Sequence, residues 1–145
     1  MIGFARVVLW LAALTFAAVG IAFLLWPLRL AAMVQLPLAN PTALVDFYAT
    51  YGGFQLGFGV VLIMCARRRE KTRFGLLAVA CGLGGFAVGR IFGLLSVTGS
   101  PKPIIYAYLA VEVTGTAVAL WAARAENILS VSCRPSSAQR VPTQT

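Results

Sequence analysis

Apolar residues fall into four long blocks, 7–26, 44–66, 74–96 and 104–123, and charged residues enter those blocks at only three points: Asp46, Arg90 and Glu112. Each block holds about 20 residues, enough at 1.5 Å rise per residue to cross the roughly 30 Å hydrocarbon layer of a bilayer. None shows the strict alternation of a half-buried strand. Backbone groups in lipid must bond within their own segment, so the pattern predicts four transmembrane helices. The fold class expected is all-α, an integral membrane four-helix bundle over residues 1–126, with a disordered cytoplasmic tail over 127–145 whose Ser, Pro, Gln and Thr supply little to bury.

The first block invites comparison with a secretory signal, because Arg6 precedes it and small residues occur at Ala17, Ala18 and Gly20. Its apolar run continues through Ile21, Phe23, Leu24 and Leu25 to Trp26 and Pro27, well past the about 7–15 residues of a signal core, so a retained span is expected. Pro27, Pro37 and Pro41 then break the chain around a short apolar stretch, 28–36, which is too short to cross. It predicts a brief interfacial helix with Arg29 and Gln35 on the wet side. Val97 to Pro103 reads as a tight turn, making the third and fourth spans an antiparallel hairpin.

Charge sets the orientation. Arg6, the loop Arg67-Arg68-Arg69-Glu70-Lys71-Thr72-Arg73 and the tail with Arg124, Arg134 and Arg140 share one side of a four-span chain, against Arg29 and Lys102 on the other. The positive-inside rule places both termini in the cytoplasm. With 60% hydrophobic and 11% charged residues the composition lies far from that of a water-soluble domain. The net charge of +8 is therefore read as topology rather than as a nucleic-acid surface. Histidine is absent, and Cys65, Cys81 and Cys133 lie in different segments, so neither a metal site nor a cofactor is expected. Cys65 and Cys81 are expected to pack in apolar surroundings.

Two features bear on packing and chemistry. Gly53 and Gly57 on the second span, and Gly85, Gly89 and Gly93 on the third, recur every four residues, a spacing that lets helix axes approach closely. The rows are expected to pack within the bundle; the alternative is a face for a second copy or another membrane protein. A charge facing lipid at mid-depth costs roughly 2.5–3.5 kcal/mol, so Arg90 and Glu112 should face inward and toward each other, with Asp46 nearer the entrance. Counted from the outer helix ends, both lie about 9–12 Å deep on adjacent helices, which predicts an Arg90–Glu112 salt bridge. Such a pair fixes helix register without doing chemistry. The functional alternative is an outward-opening polar pocket between the second, third and fourth spans, lined by Asp46, Tyr51, Gln55, Arg90, Tyr108 and Glu112.

The segments Tyr51-Gly52-Gly53-Phe54-Gln55-Leu56-Gly57-Phe58-Gly59 and Gly89-Arg90-Ile91-Phe92-Gly93-Leu94, with the Gly99-Ser100-Pro101 turn and Glu112, resemble the domain-of-unknown-function family numbered 4345. The resemblance covers 7–123 and implies a small bacterial four-helix membrane protein, and hence the bacterial inner membrane. Thr98 departs from it, since relatives often carry an acidic residue before the glycine. The resemblance flags Arg90, Glu112 and Tyr51 and implies no activity. A structural or accessory membrane protein is the function expected. The alternative is binding, transport or acid–base chemistry on a lipophilic molecule, with Glu112 as the proton-exchanging group and Arg90 as an anion clamp.

Overall fold

A computed structural model describes residues 2–98 and 101–132, and among them all regular structure is helical. Helix α1 (Ile2–Leu25) is followed by the short α2 (Pro27–Met33). The second span is continuous in space: α3 (Pro41–Phe47) passes through a π-helical turn, Tyr48–Gly53, into α4 (Phe54–Arg67). A 3-10 turn over Arg69–Lys71 leads to α5 (Thr72–Ser96), and α6 runs over Pro103–Ser132. Four stretches, Gly3–Leu25, Pro41–Arg67, Arg69–Ser96 and Pro103–Glu126, are long and apolar enough to cross a membrane, with mean hydropathies of 2.5, 1.5, 1.7 and 1.5.

Local chemistry explains the boundaries. The second span starts at Pro41 rather than Leu44 because Asn40 is extended and its side-chain oxygen accepts a hydrogen bond from the Ala43 N–H at 2.8 Å. Pro41 then occupies the first helical position, where its missing N–H costs nothing. Helix α2 ends where Gln35 takes a positive φ of 58°; Arg29 and Gln35 are both exposed, as are the apolar Leu28 and Met33. Helix α6 continues past the expected boundary at Glu126 to Ser132. The expected tail over 133–145, with Cys133, and Gly99-Ser100 in the outer turn lie outside the described residues.

Helix α1 packs along α4, and α5 along α6. The two pairs meet at the end where α4 turns into α5. Ala5, Leu9, Leu62, Cys65, Ala66, Leu76, Val79, Ala80, Ala119, Ala122 and Ala123 form the core there. Toward the opposite end, at the turn between α5 and α6, the buried residues thin to Gly20, Ala31, Phe47, Gly52, Ala87 and Glu112. Large apolar side chains point away from the bundle, with Leu95 82% and Phe92 71% exposed, a surface compatible with an apolar solvent. Cys65 is buried as expected; Cys81 instead lies on the exposed surface of α5.

The glycines that pack are not those of the four-residue rows. A Cβ on Gly20 would lie 2.5 Å from the Leu56 nitrogen, and one on Gly59 would lie 2.6 Å from the Ala17 nitrogen, so the α1 and α4 backbones touch directly. Gly52 makes room for Leu24, Gly75 for Leu9 and Cys65, and Gly115 for Leu83. By contrast Gly57, Gly85, Gly89 and Gly93 have no neighbour within 4 Å of a Cβ, and Gly53 would meet only Tyr48 O of its own span at 3.7 Å. In the second span the row lies beside the packed face, which carries Gly52, Gly59, Leu62 and Ala66. In the third span the glycine row lies beside the packed face set by Leu76, Val79, Ala80 and Ala87, not on it.

Candidate functional site

Arg90, six residues before the C-terminal end of α5, and Glu112, nine residues after the start of α6, are brought to one level by the hairpin between those helices. The predicted salt bridge forms. Arg90 Nη2 donates to Glu112 Oε1 at 2.6 Å, and Nε donates to Oε2 at 2.9 Å and to Oε1 at 3.2 Å. Two parallel bonds from a planar guanidinium to a carboxylate fix orientation as well as distance. The side chains are 26% and 10% exposed, so the carboxylate is the more enclosed partner.

Neighbouring positions hold the pair in place. Tyr108 lies one turn before Glu112, and its ring faces the guanidinium with 5.3 Å between the Arg90 Cζ and the ring centre. One turn after Glu112, the Thr116 hydroxyl donates to the Glu112 carbonyl oxygen at 2.7 Å. Tyr51, on the π-helical turn, stacks on Phe47 at 4.9 Å and leans on Phe23 at 5.5 Å. The pair thus has Tyr108 against its guanidinium, while Tyr51 packs in the aromatic cluster of the first and second spans.

Three of the six residues expected to line a pocket, Arg90, Glu112 and Tyr108, are in contact here, and Tyr51 packs on Phe47 and Phe23 instead. The other two do not join them. Gln55 is half-buried and makes no side-chain hydrogen bond among the described residues; Asp46 is exposed. A carboxylate less than two turns from Pro41 reaches the interface directly and needs no buried partner.

The space beside the pair differs from the pocket the sequence suggests. Arg90 borders a recess of about 450 Å³ walled by Gly93 and Leu94 of α5 and Ile105 of α6, with Val97, Thr98 and Pro101 at the turn. It opens between the third and fourth spans, and neither Tyr51, Gln55 nor Asp46 lines it. A second hollow, of about 710 Å³, lies at the outer end between Leu28, Ala31, Ala32 and Gln35 and the side chain of Lys102. Sequence reasoning missed the recess because its walls are ordinary apolar residues. The available signal was the fall in small buried residues toward the outer end of the hairpin.

A family model described as Domain of unknown function (DUF4345) matches residues 4–123. The chain belongs to that family. The DUF4345 match takes in both partners of the ion pair, the π-helical turn and the recess, and it agrees with the extent of 7–123 read from the sequence. No curated protein and no solved structure matches the chain significantly. The DUF4345 description assigns no activity, so the function is argued from the geometry alone.

Proposed function

We propose that this DUF4345 protein is a multi-pass protein of the bacterial inner membrane, with both termini cytoplasmic, that serves a structural or accessory role. In this reading Arg90–Glu112 is the internal tie of the third and fourth spans. The observation that carries it is the pairing itself: three charge-assisted hydrogen bonds join α5 to α6 at a level where little apolar packing does so. In lipid, association between helices depends on close packing or polar bonds, because lipid tails compete equally for apolar surface. A register tie predicts that the double substitution Arg90→Met/Glu112→Leu is tolerated better than either single change, since a single change strands one buried charge. Additive effects on melting in detergent would contradict it.

The orientation rests on the charge distribution, with Arg67, Arg68, Arg69, Lys71 and Arg73 at one end and Arg29 and Lys102 at the other. It is tested by thiol labelling after the native cysteines are replaced. An impermeant reagent should modify Lys102→Cys in intact cells, and Arg69→Cys only after the membrane is opened. The reverse pattern would invert the topology. A second reading, binding of a lipophilic small molecule, is favoured by one observation, that Arg90 also borders the recess.

A further inference from the structure

The Arg90 guanidinium is only partly used by Glu112. Nε and Nη2 make all three bonds to the carboxylate, and Nη1 makes none among the described residues. Nη1 is also not among the sealed polar atoms without a partner, which are Arg6 Nε, Thr72 Oγ1 and Glu126 Oε1. Arg90 borders the recess, so the unused donor belongs to a side chain lining a space whose other described walls are the apolar Gly93, Leu94, Val97, Pro101 and Ile105 and the hydroxyl-bearing Thr98. A charged N–H at an apolar hollow gains free energy from an acceptor delivered into that hollow.

The charge state narrows the occupant. The pair is neutral as a unit, because one guanidinium faces one carboxylate. An anionic ligand would add a net negative charge beside Glu112 in a low-dielectric setting and would compete with Glu112 for the guanidinium. An uncharged carbonyl-type oxygen accepts from Nη1 without disturbing the pair, and the apolar walls suit a hydrocarbon body. About 450 Å³ lies within the usual range for small-molecule sites, roughly 300–1,000 Å³.

We propose that the recess between α5 and α6 binds an uncharged lipophile bearing a carbonyl-type acceptor, with Arg90 Nη1 donating to that oxygen and Gly93, Leu94, Val97 and Ile105 enclosing the adjoining hydrocarbon. Gly93 matters here because its open Cβ position keeps the wall thin. Two sources share this chemistry: the ester carbonyl of a bilayer lipid, and a free ketone or quinone dissolved in the membrane. The inference goes beyond the structural reading, since a tie between helices needs no ligand.

The test is titration calorimetry of the purified full chain in maltoside micelles, which bring no carbonyl group. The probes are 2-tetradecanone, tetradecane and laurate. The ketone should bind about tenfold more tightly than the hydrocarbon, a factor within reach of one charge-assisted hydrogen bond, and laurate should not exceed the ketone. Gly93→Leu should remove ketone binding while leaving melting close to that of the native chain. Arg90→Met/Glu112→Leu should bind ketone and hydrocarbon equally. Repeating the ketone titration in discs of ester-linked and of ether-linked phospholipid separates the sources: weaker binding in ester lipid identifies the bilayer lipid as occupant, and equal binding identifies a free lipophile. Equal affinity of the native chain for ketone and hydrocarbon, tighter binding of laurate, or no ketone binding overturns the proposal. None of those results bears on the double-substitution test of the tie.

Discussion

The α1–α4 seam and the α5–α6 seam close by different means. Along the first, backbones meet at Gly20, Gly52 and Gly59, and the edge of Phe16 meets Phe58 at 4.9 Å. Its one side-chain hydrogen bond between helices is at the inner end, where Arg6 Nη2 donates to the Ala66 carbonyl oxygen at 3.2 Å and satisfies the last turn of α4. The second seam closes on alanines at its inner half, with Ala80, Ala119, Ala122 and Ala123 buried, but its outer half has no comparable small pairs. There two long polar side chains bridge the helices and a recess remains beside them. Where backbones can touch, dispersion suffices; where they cannot, a polar bridge takes over. The bridge leaves unfilled space that a touching seam does not.

The comparison breaks most readily at the bridge. Glu112→Leu strands Arg90 and should destabilise the fold by about 3 kcal/mol, at the low end for buried pairs because the guanidinium is 26% exposed. Thermal unfolding in detergent checks this, and a loss below that of a surface substitution would remove the bridge from the account. Gly59→Val attacks the other seam. Its Cβ meets the Ala17 backbone, which cannot rotate away, so a cost of about 2 kcal/mol or more is expected, with α1 and α4 pushed apart. Cysteine cross-linking between α1 and α4 should weaken in that variant and stay unchanged in Glu112→Leu.

Smaller effects sharpen the picture. Asn40→Ala removes the acceptor for the Ala43 N–H and should cost about 1 kcal/mol, seen as lower melting without a change in the α5–α6 seam. Gly89→Ala meets nothing within 4 Å and should alter stability by less than about 1 kcal/mol. If that substitution leaves melting unchanged but dissolves an oligomer on size-exclusion chromatography, the open Gly85–Gly89–Gly93 row serves a second copy. If the oligomeric state is also unchanged, the row faces lipid.

Much of the fold is legible because lipid imposes coarse rules: about 20 apolar residues make a span, and a mid-span charge needs a partner. Arg90 and Glu112 could be paired from depth alone, since a short turn fixes the relation of their helices. The packing glycines could not be read the same way. A four-residue glycine spacing says that a face is smooth, not that a neighbour lies on it. Gly20 with Ala17, and Gly52 with Gly59, carried weaker spacing signals, yet they are where the backbones meet. Asp46 shows the limit of the charge rule, which applies at mid-depth and not within two turns of a helix end.

The central claim is that Arg90–Glu112 holds the outer half of the α5–α6 hairpin while apolar packing holds the inner half. Pulsed spin-label distance measurements in liposomes test it directly, with the native cysteines replaced and label pairs at Leu95 and Tyr106 for the outer end and at Phe74 and Arg124 for the inner end. Glu112→Leu should broaden the outer distance distribution and leave the inner one narrow. Two unchanged distributions, or broadening confined to the inner pair, would contradict the account.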